Sequence, residues 1–138
     1  MQMRDLRAHA AGLGLTVQLE DLGARNGEVR AGGRIVVNED RSLSVQCEVL
    51  AHEIGHFVLG HNWTRAHDVI RDERQADTYA ARLLITPERY ALAERLVGTN
   101  AGALAYELQV SVRLIDLWRI SYRRDQYKTA RRRARVAA

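Results

Sequence analysis

An α+β fold is what this sequence predicts. Three strand-like stretches fall within residues 15 to 40, and every later segment repeats its apolar residues at helical spacing. No internal repeat or low-complexity linker divides the 138 residues, which are 46% apolar with a single proline. A chain of that size and composition suits one globular domain with a core of its own.

The elements follow in order. Residues 3 to 11 form a short helix, closed at Gly12 and Gly14. The stretches LTVQLEDL (15–22), GEVRAG (27–32) and RIVVNED (34–40) carry β-branched residues at about every second position, with Gly or Asn between them. That pattern predicts a small three-stranded antiparallel meander. From Ser42, a favoured N-cap residue, Leu43, Cys47, Leu50, Ile54 and Phe57 recur at steps of four and three and mark one face of a helix running to about Gly60. HNWTRAH (61–67) reads as a polar loop. A second long helix runs through DVIRDERQADTYAARLLI, with Val69, Ala76, Tyr79, Ala80, Leu83 and Leu84 pointing largely one way. Thr86 and Pro87, as N-cap and first helical residue, start another that ends near Gly98. A helix over about 100–108 then leads through QVS into a last one from 112 to at least 124.

Net charge is +4, unevenly spread. Residues 123 to 135 hold seven basic groups against Asp125, a local +6, so the rest of the chain carries −2. We therefore divide the chain into a domain (1–122) and a basic C-terminal tail (123–138), expected to be a solvated, partly disordered extension. Twenty of the 21 basic residues are arginine, the mark of a GC-rich coding bias more than of selected phosphate contacts. Nucleic-acid binding through the tail is accordingly the lesser expectation. No window supplies the roughly 18 uncharged apolar residues of a membrane helix, and the N-terminus has no uninterrupted apolar stretch of a signal peptide. With the lone Cys47, this predicts a soluble, cytoplasmic protein without membrane contact.

Chemistry concentrates in VLAHEIGHFVLGHNW (49–63). On a helix, residues four apart lie about 40° and one turn from each other, so His52 and His56 can aim one nitrogen each at a single point. Two neutral imidazoles are good zinc ligands, and Glu53 is offset enough to reach a water instead of the metal. Zinc lowers the pKa of a water it holds, and a neighbouring carboxylate can then act as general base on an attacking water. Glu53 is the candidate for that role. Two stacked histidines with an intervening glutamate are an awkward way to build an apolar core.

A catalytic zinc site needs a third protein ligand and one open position. The pattern HExxHxxGxxH fails here, because Leu59 and Asn62 stand where glycine and histidine are required. Glu73, seventeen residues after His56 on the next helix, is the better candidate, and Ala76 and Ala80 keep that helix face thin. Asp77, one turn after Glu73, is placed to accept a hydrogen bond from the outer nitrogen of a ligand histidine.

VLAHEIGHFVLGH followed by ERQADTYAARLLITPE resembles the ImmA/IrrE family of metallopeptidases, whose pattern joins HExxH to E-x-x-A-(N/D)-x-(F/Y)-A-A-x-L-L-x-P. Glu73, Ala76, Asp77, Tyr79, Ala80, Ala81, Leu83, Leu84 and Pro87 match, while Ile85 and Thr86 stand where the family often has methionine before the proline. The likeness spans roughly residues 30 to 120. It implies one Zn2+ per chain held by His52, His56 and Glu73, with Glu53 as general base. It also implies a phage or mobile-element protein whose substrate is a cytoplasmic helix-turn-helix repressor. The architecture expected is thus a three-stranded antiparallel sheet packed on a helical, zincin-like core of the gluzincin type, with further helices at the C-terminus.

Peptide hydrolysis also develops an oxyanion that a nearby donor should stabilise. Tyr79, His61 and His67 are candidates for that or for substrate contact, and the sequence does not choose among them. The alternative from a different class is a metal- or DNA-binding regulator without turnover, since ALAYELQVSVRLIDLWRISY has the layout of a helix-turn-helix. Its second helix carries Val112, Leu114, Ile115, Leu117, Trp118 and Ile120, too apolar for a groove-reading face.

Overall fold

The computed structural model describes residues 1–61 and 69–138; His67, one of the three candidate donors, lies outside them. The elements are α1 (Met3–Gly12), β1 (Thr16–Glu20), β2 (Gly27–Arg30), β3 (Arg34–Asn38), α2 (Leu43–Val58), α3 (Val69–Leu84), α4 (Pro87–Val97), α5 (Ala101–Leu108) and α6 (Val112–Ala137). Apart from α1, the strands precede the helices, and the class is α+β.

The sheet is mixed, which corrects the antiparallel meander. Its order is β1-β3-β2, with β1 parallel to β3 (Val17 opposite Ile35) and β2 antiparallel to β3 (Val29 opposite Ile35). Alternating strands suit sheet edges, whereas a continuous apolar run suits a strand covered on both faces. Ile35, Val36 and Val37 are fully buried, and β3 takes the centre although it comes last in the chain. Asn38, at its end, is also fully buried. Its Nδ2 donates to the carbonyls of Gly23 (3.0 Å) and Arg25 (2.8 Å), and its Oδ1 accepts from the Asp40 amide (3.0 Å). One buried amide thereby shapes the β1–β2 connection that stands in front of α2.

Helix α2 is capped by Ser42, whose hydroxyl accepts from the Val45 amide, and α4 by Thr86, which accepts from Arg89 ahead of Pro87 at its start. The apolar stripe of α2 is buried at its centre and exposed at its ends. Leu50, Ala51 and Ile54 are buried, while Leu43 (64%) and Phe57 (44%) are exposed, because only the middle of the helix is enclosed by neighbours. Helix α3 lies against α2 through Ala76 and Ala80, both fully buried.

The α5–α6 corner has a helix-turn-helix outline, with Gln109 in the left-handed region and Ser111 capping α6. Leu114, Ile115, Leu117 and Trp118 of α6 are buried, so the face that groove reading would need is spent on the core. Trp118 stacks on Tyr90 and Tyr122 (centroids 4.1 and 4.8 Å) and donates from Nε1 to the Ile85 carbonyl at 2.8 Å. The basic segment is not an irregular extension: it is helical and continues α6 to Ala137 without a break.

Candidate metal centre

Helix α2 presents His52 and His56 on one side, one turn apart. Their Nε2 atoms are 3.0 Å from each other, and the rings meet edge to face with centroids 4.6 Å apart. Glu73 reaches across from α3, Oε2 lying 3.1 Å from His52 Nε2 and Oε1 3.0 Å from His56 Nε2. Among the described residues these three form a group able to hold a metal ion. An ion bonded at about 2.0–2.1 Å in a tetrahedral arrangement separates its ligands by roughly 3.3 Å, close to the spacing found.

The outer nitrogens settle what the inner ones can do. His52 Nδ1 is 2.7 Å from Asp77 Oδ1, an acceptor, so Nδ1 carries the proton and the neutral ring keeps a lone pair at Nε2. His56 Nδ1 is 2.8 Å from His61 Nδ1, and His61 Nε2 faces Gln75 Oε1 at 3.0 Å and Asp72 Oδ1 at 3.6 Å. Those oxygens take the Nε2 proton of His61, leaving its Nδ1 to accept from His56. Two imidazole lone pairs and a carboxylate therefore converge, a donor set that fits a divalent cation and repels itself without one.

Protonation follows the same layout. Burial alone would lower the His52 pKa, but the hydrogen bond and charge of Asp77 outweigh it and leave the ring raised. His56 is lowered, first by burial and then by His52 beside it. Burial would raise Asp77, yet His52 and Arg113 together hold its carboxyl below the usual range. Burial pushes the Glu53 carboxyl up to about 7, against the pull of His52. Glu53 thus sits where a carboxylate both accepts and returns a proton near neutrality.

Glu53 opens, with His52, Glu73 and Asp77, onto a cavity of about 510 Å³ whose other wall is residues 24–27 of the β1–β2 connection. That wall comes so close that a side chain at Gly27 would meet Val49 Cγ1 at 2.5 Å and the Val36 carbonyl at 3.1 Å. The α2–α3 contact is equally tight: a Cβ on Gly55 would stand 3.1 Å from the Ala76 carbonyl oxygen and 3.1 Å from the Tyr79 ring. Small residues on both helices let Glu73 reach the histidines.

Of the candidate donors, Tyr79 points elsewhere. Its hydroxyl is 3.3 Å from His9 Nε2, and it does not line the cavity. His61 stands behind His56, not over the open side. Sequence reasoning missed Gly55, Gln75 and Arg113. The small residue inside the HExxH motif is a signal for the first, whereas Gln75 and Arg113 are recognisable only once the helices are packed.

The family model Peptidase_M78, described as an IrrE N-terminal-like domain, matches residues 10–117. The chain belongs to this family. Its members are peptidases, and the matched span takes in the whole sheet, the α2–α3 pair with its His52, His56 and Glu73 cluster, and the first turns of α6. No curated protein matches the chain. No described helix is long and apolar enough to cross a membrane.

Proposed function

We propose that this member of the Peptidase_M78 family is a zinc-dependent endopeptidase of the gluzincin type. Its substrate would be a cytoplasmic protein, specifically a helix-turn-helix repressor of a phage or mobile element. The observation that carries the catalytic part is the convergence of His52, His56 and Glu73 beside the half-buried carboxylate of Glu53, on one wall of an open cavity. Zinc is favoured by the donor set of two neutral imidazoles and one carboxylate. The repressor and the compartment rest on the resemblance alone.

His52, His56 and Glu73 would hold the metal, which supplies Lewis acidity for the carbonyl and for water. Glu53 accepts the proton of the attacking water and returns it to the leaving amine, a double task suited to a pKa near neutrality. Asp77 and His61 keep the ligand rings in the required tautomer and orientation.

Substrate binding follows from the sheet edge. Asn38 donates to the Asn26 carbonyl at 2.8 Å, and by antiparallel alternation the N–H and C=O groups of Gly27 and Val29 point away from β3. An extended segment adds to β2 through those groups, with little demand on sequence. Crosslinks from a bound substrate should map to residues 27–40; crosslinks confined elsewhere remove this docking mode.

Metal content by mass spectrometry tests the centre. Wild type should carry about one zinc per chain, Glu73→Ala and His56→Ala much less, and Glu53→Gln should keep its metal while losing peptide cleavage. Wild-type protein without metal, prepared under conditions that avoid stripping, ends the peptidase reading.

A further inference from the structure

The C-terminal half of α6 carries a surface that the peptidase reading does not use. From residue 123 onward the helix is exposed but for Tyr127-side neighbour Asp125, which is half-buried and paired with Arg82 at 2.5 Å. Among the described residues, none of the seven cations between 123 and 135 makes an ion pair. At 100° per residue, Arg124, Lys128, Arg131 and Arg135 fall within about 60° of one another, a straight stripe roughly 16 Å long. The stripe begins at a cavity of about 480 Å³ between α3 and α6, lined by Arg124 together with Arg71, Arg74 and Arg82. Arginines therefore extend from the domain onto the helix, with Asp72 and Asp125 paired among them.

We propose that this stripe docks the protein on double-stranded DNA through the phosphate backbone. A coding bias toward arginine affects the whole chain, yet the excess of cations over acids is confined to this segment; the remainder carries −2. Like charges three and four apart destabilise a helix, and the helix dipole offsets this only in the last turn. A polyanion relieves the repulsion along the full stripe. The occupant is DNA by shape and chemistry. A helix some 10–12 Å across fits the B-form major groove, about 12 Å wide, whereas duplex RNA has a groove too narrow to admit it. Tyr127 is the one large apolar side chain between the cations, beside Gln126, Thr129, Ala130 and Ala134, too little apolar surface for a bilayer. Guanidinium groups suit phosphate oxygens in paired hydrogen bonds. Contacts of this kind are sequence-tolerant, so the stripe recruits the protein to DNA without choosing a site.

Polarisation of a labelled duplex of about 25 base pairs, titrated with the full chain, tests this. Four phosphate contacts predict a log–log salt slope of about −3.6 and a loss of roughly 150-fold between 50 and 200 mM salt. The variant Arg124→Gln/Lys128→Gln/Arg131→Gln/Arg135→Gln should lose at least tenfold at 50 mM salt, with helix content by circular dichroism unchanged. Arg123→Gln/Arg133→Gln, off the stripe, should lose less than threefold. The proposal fails if the wild type does not bind at 50 mM salt, or if the stripe variant binds as tightly as wild type. It fails equally if the off-stripe variant loses as much, or if polyglutamate or anionic vesicles bind as well as duplex DNA. None of these outcomes depends on metal or peptidase activity.

Discussion

Arg113, in the first turn of α6, donates from both Nε and Nη2 to Oδ2 of Asp77 at 2.8 Å, while the other oxygen of that carboxylate holds His52 Nδ1 at 2.7 Å. A residue forty positions beyond Glu73 thus orients a candidate metal ligand. The first turn of α6 is itself fixed to α2, because the Ser111 amide and hydroxyl both donate to Glu48, at 2.9 and 2.6 Å. Removing Asp77 should loosen the His52 ring without touching the three donor atoms. Asp77→Ala is expected to weaken zinc binding by about 10–100-fold, read by competition with a chromogenic chelator. Arg113→Ala should have a smaller effect in the same direction, and unchanged affinity in both would remove this role from Asp77.

His61 invites the matching test on the other ring. It accepts from His56 Nδ1 and is itself fixed by Gln75. His61→Phe keeps the ring volume and deletes the acceptor, so zinc affinity should fall by about tenfold or more. If His61 were instead a donor to substrate, the variant would keep its zinc affinity and lose only turnover.

Gly55 limits how close α2 and α3 come. A methyl group there meets the Ala76 backbone and the Tyr79 ring at 3.1–3.2 Å, closer than ordinary contact, so α3 must shift by a few tenths of an ångström. Gly55→Ala should cost about 1–3 kcal/mol of stability in denaturant unfolding and also weaken zinc binding, because Glu73 moves with α3. A variant as stable as wild type would mean that the helices yield freely.

Burial of Glu53 predicts a pH dependence of the metal-free protein. Its folded-state pKa is about 7 against an ordinary value of 4.5. Between those values the folded chain holds a proton that the unfolded chain has released, so this group favours folding at low pH and loses that contribution as pH rises through about 7. Glu53→Gln lacks the ionisation. After chelator treatment it should be more stable than wild type by about 2–3 kcal/mol at pH 8 and by about 1 kcal/mol or less at pH 5. A difference independent of pH would show that Glu53 is solvated.

Local spacing explains how much of this was legible. His52 and His56 are one helical turn apart, and Ala76 and Ala80 advertise a close-packed helix after Glu73, so the donors that meet are those the spacing singles out. The sheet order was not legible in the same way. Adjacent strands usually pair, and only the unbroken RIVV run of β3 hints that the last strand takes the centre. Arg113 and Gln75 carry no local mark at all, since their roles depend on how α3 and α6 pack. The basic segment illustrates the opposite limit: composition made it look like a loose tail, but it continues a helix that the buried Trp118 and its neighbours have already nucleated.

The free edge of β2 has a consequence for the protein's dealings with itself. An unpaired strand beside a cavity is as ready to receive a second copy of the chain as a substrate, which invites self-association. Two features oppose it. The strand is only four residues long, and Glu28 is clasped by Arg25 at 2.5 Å and by Arg30, which also reaches Glu20 at 3.0 Å. Pairing two such edges would bury or break these ion pairs, a desolvation cost that weighs against self-pairing of the strand.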